Sequence, residues 1–141
     1  MTTEQLFSYA NLFALVGWIP LLLAPVRRAV MVAAARWVAA ILAGLYTVLF
    51  VGGIVLGGGG EGGADLTMTA AGLAAAFSRP EVLLVGWVHY LAFDLWVGAW
   101  IVEDAPGKRV PHWLLVPILA ATFLAGPIGL LAYLLVRATR R

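Results

Sequence analysis

Four apolar stretches, residues 6–25, 32–56, 82–102 and 112–136, limit what this chain can fold into. Each reaches the roughly 20 residues of helix that cross a hydrocarbon core. Lipid offers the backbone no hydrogen-bond partner, so a segment inside it must bond within itself, as a helix. Composition agrees: 63% of the 141 residues are hydrophobic and 11% are charged, against about 25% charged in a soluble domain. The mean hydropathy is +0.98. A soluble fold of this size has too little interior to hide so much apolar surface. The expectation is one all-α transmembrane domain over residues 1–141, an integral membrane four-helix bundle whose spans are those four stretches.

The connections carry their own signals. Tyr9, Trp37, Trp100 and Trp113 lie at the ends of the stretches, where aromatic rings suit the membrane interface. The run GGGGEGG at 57–63 has no side chains to pack and reads as a flexible spacer. The segment 66–77 is too short to span and is expected to be a short interfacial or re-entrant helix between the second and third spans. Ser78 and Glu81 are spaced as a capping box at the start of the third span, and Ala105-Pro106-Gly107 ends it. The prolines and glycines of the first and fourth stretches (Pro20, Pro117, Gly126, Pro127 and Gly129) predict kinks, which either pack helices closely or open a cavity beside the third span.

Charge and leader signals say less. The N-terminal MTTEQLFSYANLF lacks a basic region and a small-residue cleavage site, so the first stretch is read as a retained helix. With four spans both termini share a side. Arg27, Arg28, Arg36, Lys108 and Arg109 then oppose Arg79, Arg137, Arg140 and Arg141. That is almost no bias, and the first hairpin favours both termini outside. Without a basic stripe on a polar surface, nucleic-acid binding is not expected. Without cysteine, disulfides and thiolate chemistry are excluded.

Asp94 is the residue that does not belong to this solvent. It sits in the middle of GWVHYLAFDLWVGAW, at 86–100. A charged group at bilayer mid-depth costs roughly 2.5–3.5 kcal/mol on the gentlest scale, and such residues usually face a partner, a substrate or a cavity. Tyr90 is its i−4 neighbour on the same helix face, shared by Trp87 and by Gly98, which is expected to leave space beside the carboxyl. His89 lies about 140° around the helix from Asp94, with Phe93 and Trp96 on its own side. An apolar site can keep a carboxylic acid neutral; such an acid gives a proton, and its conjugate base recovers one. The opposing reading is helix glue, with Asp94 hydrogen-bonded to Tyr90, to Asn11 or to a carbonyl freed by proline. Asn11 is expected to reach another helix, and Thr122 to bond back to its own.

A second polar group, Glu103, Asp104, Lys108, Arg109 and His112, follows the third span. Glu103, Asp104 and His112 have the chemistry of metal ligands, but a solvated charged turn is the default and no metal is assigned. The aromatics Trp87, Phe93, Trp96 and Trp100 read first as packing, and alternatively as a wall for a flat conjugated polyene.

The string Gly86-Trp87-Val88-His89-Tyr90-Leu91-Ala92-Phe93-Asp94-Leu95, followed by Gly98, Trp100 and Asp104-Ala105, resembles the neoxanthin-synthase-like family of small membrane proteins, named from a plant mutant deficient in abscisic acid. The likeness extends through Asn11, Gly17-Trp18, Pro25, Pro111-His112, Pro117, Thr122, Gly126-Pro127, Gly129-Leu130-Leu131, Tyr133 and Arg137. The resemblance implies a part in carotenoid chemistry, since the plant member is associated with opening the epoxide of violaxanthin into the allenic alcohol of neoxanthin. That isomerisation needs one proton delivered to oxygen and one removed from the polyene. Asp94, His89 and Tyr90 are the catalytic candidates it implies. Trp87, Phe93, Trp96, Gly98, Trp100 and Asn11 are the ligand-binding candidates.

The expected function is therefore acid/base isomerisation of a carotenoid or other prenyl lipid. The alternative is a non-catalytic carotenoid- or lipid-binding protein, or an accessory subunit of a biosynthetic complex. A transporter using Asp94 as a proton relay ranks behind both, since no internal repeat is evident. Membrane lipids and a hydrophobic polyene or prenyl lipid are the expected partners, homo-oligomerisation is left open, and no cofactor is assigned. The Ala-, Gly-, Val- and Arg-rich composition points to a bacterial inner (cytoplasmic) membrane.

Overall fold

The computed structural model describes residues 1–56 and 69–140. Those residues are helical or in connecting turns, with no strand among them. Three helices are long and apolar enough to cross a membrane: α1 (Thr3–Leu22), α2 (Arg28–Leu49) and α4 (Pro80–Asp104). α2 continues as a π-helical stretch, Phe50–Leu56. The short α3 (Ala70–Phe77) precedes α4, and a 3₁₀ turn, Ala105–Lys108, follows it. The glycine run at 57–63 lies outside the described residues.

α1, α2 and α4 pack on one another, and α4 carries the centre of the core. Phe7 of α1 stacks on Trp87 of α4, and Trp18 lies against Gly98 further along, so α1 and α4 run in the same direction. Tyr46, late in α2, meets His89, while Arg28, at the start of α2, donates to the Val102 carbonyl at 2.8 Å, so α2 runs the opposite way. Close approach depends on Gly17. A Cβ there would lie 2.5 Å from Leu95 and 2.8 Å from Val38, so the three helices meet at a point with no room for a side chain.

The fourth apolar stretch, expected as one span, is two helices. α5 (His112–Leu124) and α6 (Gly126–Thr139) are separated at Ala125, whose φ of −157° and ψ of 79° leave the helical region. α5 begins beside the end of α1, where His112 Nε2 is 3.0 Å from the Leu22 carbonyl, and it stops at the depth of Asp94. α6 begins there and runs back to Asp104. The pair is a hairpin reaching partway along α4, with both open ends at the same end of the molecule. At 13 and 14 residues, each helix is about 20 Å long, short of a hydrocarbon core of about 30 Å. The cause is local. Pro127 removes an amide from the first turn of α6, and Gly129 lets α6 close onto the Thr122 backbone. Thr122 Oγ1 donates to the Ile118 carbonyl at 2.8 Å, within its own helix as expected.

The start of α4 also differs from the expected capping box. Pro80 occupies the first turn, Arg79 is the N-cap, and no side chain caps the helix. Ser78 Oγ instead donates to the Ala74 carbonyl, closing α3 behind it. A capping box does form at α1, between Thr2 and Gln5.

Candidate functional site

Asp94 lies on the face of α4 that the hairpin tip covers, and only 9% of it is exposed. Gly126, the first residue of α6, touches its carboxyl so closely that a Cβ would overlap both oxygens and Cγ. The Tyr90 phenol and the Gly126 amide both lie within reach of its carboxyl. Even so, Oδ2 is buried and has no partner within hydrogen-bonding geometry. An unmet buried acceptor is costly unless a proton or a ligand completes it.

Gly86, Tyr90 and Asp94 follow one another at i, i+4 and i+8, along one face. Phe77 of α3 packs on Gly86, and the hairpin tip packs on Asp94. These two covers lie eight residues apart on α4, or about 12 Å. Half-buried Tyr90 lies between them, with its ring stacked on Trp87 at 5.3 Å. Trp87 Nε1 donates to Asn11 Oδ1 at 3.0 Å, while Asn11 Nδ2 donates to the Phe7 carbonyl at 2.7 Å. Asn11 thus reaches a second helix as expected, and the group it holds there is Trp87.

The remaining candidates are spread around α4. His89 is exposed on the side facing α2, packed on Tyr46 and Phe93. Trp96 lies under the Arg36 guanidinium at 5.2 Å. Trp100 meets Tyr133 edge to face. Phe93, Trp96 and Trp100 therefore do not join Trp87 in one wall. Gly98 opens no space beside the carboxyl either, because the Trp18 indole fills the place of its missing side chain. The glycine that meets Asp94 is Gly126, singled out in the sequence only as part of a kink.

The polar group at the end of α4 divides among separate partners. Glu103 forms a two-pronged ion pair with Arg36. Asp104 accepts from the Tyr133 hydroxyl at 2.6 Å and from Arg137 Nε at 2.7 Å. His112 is held at the end of α1. Among the described residues, no three His, Asp or Glu side chains are grouped to hold a metal ion.

A pattern described as ABA4-like, ABA DEFICIENT 4-like, matches residues 5–133. The chain belongs to this family. The match runs from α1 through most of α6, so Asp94, Tyr90, Gly126 and Asp104 all fall inside it. No curated protein and no solved structure matches the chain.

Proposed function

We propose that the chain is a membrane isomerase of a carotenoid or related prenyl lipid, with Asp94 as its proton-transfer group and Tyr90 beside it. The family links this chain to carotenoid chemistry, and the buried, unpartnered Oδ2 of Asp94 carries the reading. A carboxyl that only glued helices would have its oxygens filled by them. On this reading the end group of a polyene is placed between Phe77 and Gly126, beside Tyr90, whose ring is backed by Trp87 and Phe7.

In an epoxide-bearing end group the carboxyl of Asp94 gives its proton to oxygen as the C–O bond breaks. The carboxylate left behind takes a proton from the adjacent polyene carbon, whose C–H electrons form the new double bond. One proton is given and one recovered, so the net change is an isomerisation with no oxidant or reductant. Tyr90 orients the carboxyl for both transfers. His89 lies across the helix and takes no part in this scheme.

The test is expression in a carotenoid-producing host, followed by chromatography of the extracted pigments. The wild-type chain is expected to shift the pigment profile. Asp94→Asn keeps the shape of the carboxyl and is expected to lower conversion about 10²–10⁴-fold, the scale of a lost acid/base group, while expression and folding persist. Pigment that copurifies unchanged with both proteins would favour a binding protein, and full conversion by Asp94→Asn would overturn the reading.

A further inference from the structure

On the opposite side of α4 from the hairpin, α2 and α4 enclose a groove of about 610 Å³ that Asp94 does not line. Arg28 lines it at the start of α2, the Arg36–Glu103 pair lines it further along, and Ala29, Ala33, Ala40 and Trp96 are among its apolar walls. We propose that this groove is a binding site for an anionic phospholipid, with the phosphate at Arg28 and one acyl chain lying along the alanine face of α2.

The charge along the groove is set up for an anion. Glu103 neutralises one guanidinium, that of Arg36. Arg28 gives one N–H to the Val102 carbonyl and retains its full positive charge. α2 starts here with no capping side chain and no acidic residue in its first turn, so its amides add to the positive field. The wider surface has the same sign. Arg27, Arg28, Arg36, Lys108, Arg109, Arg137 and Arg140 gather at this end, and among the described Lys and Arg side chains Arg79 alone lies at the other.

The walls suit a hydrocarbon chain. From Arg28 to Ala40 the groove follows twelve residues of α2, about 18 Å, against roughly 15 Å for one leaflet of a core about 30 Å thick. Ala29, Ala33 and Ala40 are exposed and small, so they leave room for a chain. Trp96 closes one side and is held in place by the Arg36 guanidinium above it.

The full-length protein, purified in mild detergent, is titrated with phosphatidylglycerol, with phosphatidylcholine of the same acyl chains, and with inorganic phosphate. Bound lipid is read by native mass spectrometry. Phosphatidylglycerol is expected to stay bound where phosphatidylcholine and phosphate do not. Arg28→Gln removes a charge-assisted contact and is expected to weaken retention about tenfold. Ala33→Trp fills the groove at an exposed position and is expected to abolish retention without unfolding the helix. Arg79→Gln, at the far end, is expected to change nothing. Equal retention of the two lipids overturns the proposal. So does phosphate competing as well as the lipid, or retention indifferent to both groove substitutions.

Discussion

At the scale of residues, Asp94 and Gly126 form the contact that most constrains the site. The glycine is required by distance, since any β-carbon would enter the carboxyl group. Gly126→Ala is therefore expected to cost about 1–3 kcal/mol, the range for an extra methyl forced into a packed interior, as a lower midpoint of thermal unfolding in detergent. Gly107→Ala is the control, because a Cβ there meets nothing within 4 Å. An unchanged midpoint for Gly126→Ala would mean that the hairpin tip yields freely. That Tyr90 and Asp94 share one face of α4 was legible in the sequence, because residues on one helix are related by its fixed pitch. The part of Gly126 was not, because helical spacing cannot say which distant segment supplies a neighbour. For the same reason Gly98 read as space, although Trp18 fills it.

At the scale of elements, the broken fourth stretch is the largest departure from expectation. Apolar composition is the same for one helix crossing a membrane as for two that turn back partway, so hydropathy could not separate them. The Gly126-Pro127 pair marked the position but not the angle, since such a pair suits a kink as well as a stop. The deciding contacts join residues far apart in sequence: Gly126 with Asp94 at the tip, and Tyr133 and Arg137 with Asp104 at the open end. Tyr133 is fully buried, and its hydroxyl bonds a carboxyl. Tyr133→Phe is expected to lower stability by about 1.5–3 kcal/mol, the usual worth of a hydrogen bond to a charged group. Asp104→Asn combined with Tyr133→Phe is expected to cost less than the sum of the two single changes, because they share one contact. Strict additivity in unfolding measurements would show that the clamp does not hold α6 to α4.

At the scale of the whole molecule, the hairpin changes the parity of the chain. Three candidate spans and a hairpin place α1's start and α6's end at opposite ends of the bundle, where four spans would have joined them. Of the eight Lys and Arg side chains among the described residues, seven then lie at one end and one at the other. The excess marks the cytoplasmic side, so the C-terminus is expected inside and the N-terminus outside. The chain has no cysteine, so Thr2→Cys and Thr139→Cys can each be labelled alone with an impermeant maleimide on intact cells. Thr2→Cys is expected to react at once, and Thr139→Cys only after permeabilisation. Labelling of both on intact cells would restore a four-crossing chain. A hairpin that halts beside Asp94 also has a consequence for what surrounds it. Beyond the tip, neither of its helices covers Tyr90, so on the proposed reading the bilayer itself would border the guest. Conversion is then expected to depend on the thickness and fluidity of the host lipid as well as on the amino acids.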